Sequence, residues 1–197
     1  MLLSSCLLLP IVVALLAAAG WLLVPILTGL PWRPTDRDRI GRALALAEVR
    51  PGEVVYDLGS GDGRVVIMAA AEFGARAVGV ELSPLQFLWS WIRVQTHPNR
   101  DRVSLRWGDC FQADLTDADV VVAYMTSAQA EPLRRTLEAG MRAGGRVLTI
   151  AFELEGWEPS SFDSRHLIYL YRWPPRPGNL GSLLAWQGSG ADAARAP

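Results

Sequence analysis

Residues 54–64 constrain the fold more than any other stretch of the chain. Val54, Val55, Tyr56, Asp57 and Leu58 form a short apolar run, and Gly59, Gly61 and Gly63 follow at alternate positions. After Arg64 the sequence Val65-Val66-Ile67-Met68-Ala69-Ala70-Ala71 reads as helix. A β-branched run ending in glycines and continuing as helix is the pattern of a buried parallel strand turning sharply into its crossover. The glycines let backbone approach a ligand, and the helix that follows directs free N–H groups at the turn. A second apolar run, Ala77-Val78-Gly79-Val80, ends on Glu81, 18 residues past Gly63. A carboxylate at about that distance from a glycine turn is where a ribose hydroxyl pair is gripped.

The spacing narrows the ligand. Dinucleotide folds place their glycines as G-x-G-x-x-G, whereas this turn is G-x-G-x-G with Asp57 just ahead of it and Asp62 inside it. Two carboxylates beside the turn disfavour a pyrophosphate and suit a ligand that carries positive charge, such as an amine and a sulfonium. The segment Asp57 to Gly63, followed by Val78-Gly79-Val80-Glu81, resembles the first two motifs of class I S-adenosylmethionine-dependent methyltransferases. The resemblance implies S-adenosyl-L-methionine as cofactor. It places Asp57 toward the methionine amine and Glu81 toward the ribose hydroxyls, with Gly59, Ser60, Gly61 and Gly63 forming the turn. It also puts Asp109, after the third strand, toward the adenine amino group, with Leu82 and Cys110 beside the cofactor.

The rest of the chain supplies an α/β rhythm. Pro31-Trp32-Arg33-Pro34-Thr35 is a stiff linker, and 36–49 reads as an amphipathic helix through Ile40, Leu44 and Ala47. Ser83 is placed to cap a helix with Pro84 at its first position, running to about Gln95. That helix has two apolar faces. Leu85, Leu88, Trp89 and Ile92 are assigned to the core, while Phe87, Trp91 and Val94 lie under a neighbouring segment or against a bilayer. Strands are expected at 103–107, 118–124 and 147–152, a helix at 130–141, and one more strand, antiparallel, at 166–173. Residues 153–159 read as a loop, and 175–197 as a disordered tail. Alternating strands and helices give a Rossmann-like, mostly parallel, doubly wound sheet over 51–174, with 31–50 as linker and capping helix. Acceptors bind outside the carboxyl ends of such strands, which makes Tyr124 and Glu153 the candidate catalytic residues, near Thr126 and Trp157.

Residues 1–30 hold no charged side chain, and 7–27 alone is long enough to cross a bilayer core as a helix. No positive region precedes the run, which argues for a retained transmembrane anchor over a cleaved leader. Arg33, Arg37, Arg39, Arg42 and Arg50 crowd its C-terminal side. The expected protein is therefore single-pass, with its catalytic domain facing the cytoplasm, as in a bacterial inner membrane.

Composition sets the exclusions. The 197-residue chain carries a net charge of −1, so bulk charge gives no attraction to nucleic acid. All of its basic residues are arginine, which excludes methylation of its own lysines. Two cysteines and two isolated histidines, His97 and His166, offer neither a disulfide framework nor a metal site.

The order of apolar anchor, Pro-x-x-Pro-Thr, helix, glycine motif and Val-Gly-Val-Glu is similar to a group of membrane-associated protein-lysine methyltransferases. Its mitochondrial members modify the ATP synthase c-subunit and the adenine nucleotide translocase. The segment from Gly144 to Pro159 resembles bacterial relatives of that group. The implied partners are the membrane and a membrane-protein or lipophilic substrate. Lipid or quinone methylation, and a fold that binds cofactor without catalysis, are the alternatives.

Overall fold

The structure, a computed structural model, describes residues 35–188 together with Val12, Val13 and Leu16 in the N-terminal run. The proposed span at 7–27 otherwise lies outside the described residues, as do 189–197. Among the described residues no helix is long and apolar enough to cross a membrane.

A seven-stranded sheet carries the fold. Its strands are β1 (Val54–Leu58), β2 (Arg76–Glu81), β3 (Val103–Trp107), β4 (Val120–Ala123), β5 (Arg146–Ile150), β7 (Ser161–Asp163) and β8 (Ile168–Arg172). They lie in the order β3-β2-β1-β4-β5-β8-β7. The first five run parallel, and β8 pairs antiparallel with both β5 and β7. The expected final antiparallel strand is thus β8. Within the stretch read as loop, Trp157–Glu158 forms β6, which pairs with β9 (Arg176–Pro177). Pairing of such two-residue strands depends on chain brought in from well along the sequence, which no local pattern reveals.

The helices are α1 (Arg37–Leu46), α2 (Arg64–Glu72), α3 (Pro84–Gln95), α4 (Ala130–Gly140) and α5 (Leu180–Gly188). Helix α5 stands in the stretch expected to be disordered, and its Leu183 is buried. Strand β1 explains why the sheet is covered on both faces. Val54, Tyr56 and Leu58 join one core with Leu133 and Leu137 of α4, while Val55 faces the other with Ile40, Leu44, Val66 and Ala69. Period-2 side chains on a central strand need apolar neighbours on both sides, hence the unbroken apolar run. Full burial of a leucine such as Leu44 contributes about 2 kcal/mol.

Arg146, buried at the start of β5, locks α1 onto this sheet. Its Nη1 donates to the carbonyls of Ala47 and Glu48, at 2.7 and 3.1 Å, and its Nη2 to Glu53 at 2.6 Å. A cation on the carbonyls that a helix leaves unpaired at its C-terminal end complements the helix dipole.

Helix α3 departs from the expected arrangement. Its buried side chains are Gln86, Ser90 and Val94, and Leu88, Trp89, Trp91 and Ile92 are all exposed. The reason lies in what α3 packs against. A Cβ built on Gly63 would stand 2.6 Å from Ser90 Oγ, so the glycine turn leaves room only for a small residue there. Backbone proximity, not hydrophobicity, chose the inward face. Ser83 and Pro84 hold the positions expected of them, but the Ser83 side chain makes no capping bond.

Candidate functional site

The carboxyl ends of β1 and β2 bring the two key acidic residues together with the glycine turn. Gly59, Gly61 and Gly63 all adopt positive φ (84, 53 and 76°), a conformation that penalises a Cβ and accounts for glycine at each. A Cβ built on Gly59 would meet nothing within 4 Å, so this glycine borders open space. Beneath the turn the opposite holds. A Cβ on Gly79 of β2 would lie 2.8 Å from Ser60 Oγ and 2.9 Å from Leu105, so the turn rests directly on β2.

Glu81, buried at the end of β2, holds the turn. Its Oε2 accepts from the Gly61 N–H at 2.7 Å and its Oε1 from the Ser83 N–H at 2.8 Å. One carboxylate therefore ties the glycine turn to the entry of α3. Burial pushes the Glu81 carboxyl above its ordinary value, opposed by the N–H groups of Ser83 and Gly61. This bracing role was not anticipated, although a carboxylate just before a Ser-Pro helix start is a readable signal for it.

Asp57, at the penultimate position of β1, is buried with no cation to balance it among the described residues. Burial first, then the charges of Glu81 and Asp62, push its carboxyl up to about 8. A carboxyl so raised would be relieved by a positive ligand beside it. Asp62 is different. Arg64 grips it through Nε at 2.9 Å and Nη2 at 2.7 Å, and Arg93 of α3 reaches it at 2.6 Å. Burial opposes its charge, but the Arg64 hydrogen bonds and the Arg93 charge hold the carboxyl below its ordinary range. The expectation that Asp62 repels anions is therefore corrected, since two guanidinium groups neutralise it.

Asp109 follows β3 as expected. Its Oδ1 accepts from the Phe111 N–H at 3.0 Å and its Oδ2 from Gln112 at 3.2 Å, so it also caps the short 3₁₀ turn over Cys110–Gln112. Cys110 is buried, and burial pushes its thiol up to about 12, which makes it packing rather than a nucleophile. Leu82 is exposed, and its carbonyl accepts from Trp107 Nε1 at 2.9 Å.

The two candidate catalytic residues are placed less simply. Tyr124, half-buried at the exit of β4, packs against the core on the α1 side, and the Arg39 guanidinium lies 5.5 Å from its ring centroid. Glu153 follows β5, and its Oε1 accepts from the Leu180 N–H at 2.6 Å. One Glu153 oxygen is thus committed to the start of α5, a contact hidden from a reading that left this stretch without structure. Among the described residues no group of three possible ligands gathers to hold a metal.

The site residues fit a charged nucleoside ligand. Among the described residues Asp57 lacks a counter-cation, Gly59 borders free space, and Ser60 Oγ is buried without a hydrogen-bond partner. Comparison with known proteins agrees. The ANTKMT methyltransferase domain matches residues 57–161. A protein-lysine N-methyltransferase of Saccharolobus islandicus is 33% identical over 149 residues, covering 72% of this chain and 92% of the relative. The adenine nucleotide translocase lysine N-methyltransferase of Mus musculus is 32% identical, over 74% of this chain and 63% of the relative. The ATP synthase c-subunit lysine N-methyltransferase of Xenopus laevis is 30% identical, over 75% and 65%. Among solved structures, an RNA methyltransferase from Salinibacter ruber in complex with S-adenosyl-L-homocysteine superposes with a TM-score of 0.68 and 36% identity. That likeness covers 74% of this chain and 94% of the other.

Proposed function

The chain belongs to the ANTKMT methyltransferase domain family, and on that premise we propose that it is a membrane-anchored protein-lysine N-methyltransferase acting on a membrane protein. Its class is that of the S-adenosylmethionine-dependent methyltransferases, with a Rossmann-like fold. The observation that carries the reading is the pair Asp57 and Glu81 at one open glycine turn, in a chain whose relatives are named lysine N-methyltransferases. The vertebrate relatives are less than two thirds covered by this chain. The substrates in their names, the translocase and the ATP synthase c-subunit, motivate the membrane-protein substrate.

S-adenosylmethionine, when bound, supplies a methyl carbon already activated by its sulfonium. The chain's own contribution is positioning and charge. Asp57 would hold the methionine ammonium, and Glu81, braced by the Gly61 and Ser83 N–H groups, would offer its remaining lone pairs to the ribose hydroxyls. Gly59, Ser60 and Gly63 shape the turn, while Asp109 would accept from the adenine amine, with Leu82 and Cys110 beside the cofactor. An acceptor lysine, with pKa near 10.4 in water, must be neutral to attack, and an apolar approach favours that form. Tyr124 lies at the acceptor end of β4. Glu153, committed to Leu180, acts there by holding α5 in place.

The anchor is the uncharged run 1–30, of which Val12, Val13 and Leu16 are helical and exposed. The arginines that follow it support a domain on the cytoplasmic side. The net charge of −1 supplies no bulk attraction to a polyanionic substrate such as the RNA in the name of the Salinibacter ruber protein. The test incubates the detergent-purified chain with radiolabelled cofactor and membranes from a strain lacking its gene. Protein, organic extract and RNA are then counted separately. Label in a membrane-protein band, at lysine, is the expected result. Label confined to extract or RNA overturns the lysine assignment.

A further inference from the structure

Helix α3 carries its apolar residues outward. Trp89 is 55% exposed, Leu88 52%, Trp91 47% and Ile92 42%. The one ionisable side chain on the helix, Arg93, turns inward to Asp62, so the outer face holds no charge to desolvate. Trp107, 67% exposed, bonds to the carbonyl of Leu82, the residue after Glu81, and extends the apolar surface toward the helix entry. A surface helix ordinarily turns its polar side to water. Two tryptophans with leucine and isoleucine on an uncharged face have the composition of a helix lying in a lipid interface, where indole rings settle at headgroup depth.

The path of the chain says which occupant this face meets. Thr35 is fastened beside α3, because its carbonyl accepts from Arg64 Nη1 at 2.8 Å, and Arg64 shares Asp62 with Arg93 of α3. Seven residues, 28–34, separate Thr35 from the apolar run 7–27. Fully extended, they reach at most about 25 Å. A bilayer crossed by that run therefore lies within a short reach of α3.

We propose that the outer face of α3, with Leu82 and Trp107, docks into the lipid headgroup–acyl boundary and so sets the cofactor turn at the membrane surface. The inference rests on the membrane anchor proposed above, and adds a second contact that fixes the domain's orientation. An acceptor close to the bilayer is then presented to the site without a search through solution.

The test uses the full chain carrying Cys6→Ser, with a nitroxide attached at Leu88→Cys, Ile92→Cys or, as control, Glu138→Cys on α4. Vesicles of phosphatidylethanolamine and phosphatidylglycerol are added, and collisions with oxygen are compared with those of a water-soluble nickel chelate. The proposal expects the oxygen-to-nickel ratio at 88 and 92 to rise on vesicle binding while that at 138 does not. Adding Trp89→Ser and Trp91→Ser should return the label at 88 toward water while the chain still sediments with vesicles. Sedimentation with unchanged ratios at 88 and 92 leaves the anchor standing and overturns docking. Labels shielded from both probes before vesicles are added mean that a second copy or the N-terminal run covers the face, which also overturns it. A chain that does not sediment at all removes the anchor and the docking together.

Discussion

Replacing Asp57 with asparagine should make the cofactor-free protein more stable and less able to bind its cofactor. The folded carboxyl ionises only near pH 8, against an ordinary value of 3.8. Between those values the native state keeps a proton that the unfolded state has released, so stability falls as pH rises and the loss levels off above pH 8. At pH 7 the interval from 3.8 is about 3 pH units, and at about 1.4 kcal/mol each the burden approaches about 4 kcal/mol. Asparagine has no such proton to lose. Thermal melts of both proteins in detergent, from pH 5 to 8.5, should show the wild type losing ground to the variant with each step up to pH 8. At about 2–4 °C per kcal/mol the midpoints should differ by about 10 °C at pH 7. In titration calorimetry the variant should bind S-adenosylmethionine about 10–100-fold more weakly, through loss of a charge-assisted bond worth about 1.5–3 kcal/mol. Parallel pH profiles for the two proteins, or a variant less stable at pH 7, would refute the reasoning that burial leaves Asp57 unbalanced.

Other changes separate bracing from binding. Glu81→Ala leaves the buried N–H groups of Gly61 and Ser83 unpaired and should cost about 1–3 kcal/mol of stability in addition to at least tenfold in cofactor affinity, read by denaturation and calorimetry. Ser90→Ala removes a buried hydroxyl that lacks a partner among the described residues and should leave the melting midpoint unchanged or raised. Gly63→Ala should destabilise through its 2.6 Å approach to Ser90 Oγ and its positive φ, and the Ser90→Ala background should recover part of that loss. Glu153→Ala should increase proteolysis at 175–188 with cofactor affinity unchanged, because its bond is to the start of α5. A fall in affinity as large as that of Glu81→Ala would mean that Glu153 touches the cofactor.

What the sequence determined by itself was the local grammar around the turn. A β-branched run buried on both faces must be an interior strand, and glycines at 59, 61 and 63 mark the positive φ that other residues resist. Those preferences act within a few residues, and so β1, α2 and β2 were legible with Asp57 and Glu81 at their ends. What only the tertiary structure decided depends on chain brought from afar. Which side of α3 faces inward was settled by the closeness of Gly63 to Ser90, a steric demand that outweighed the helix's hydrophobic pattern. The pairing of Asp62 with Arg93, the small β6–β9 ribbon and the bond from Glu153 to Leu180 likewise join segments far apart along the chain. Sequence periodicity records what a residue prefers, but the fate of a half-apolar helix depends on the shape of what it meets.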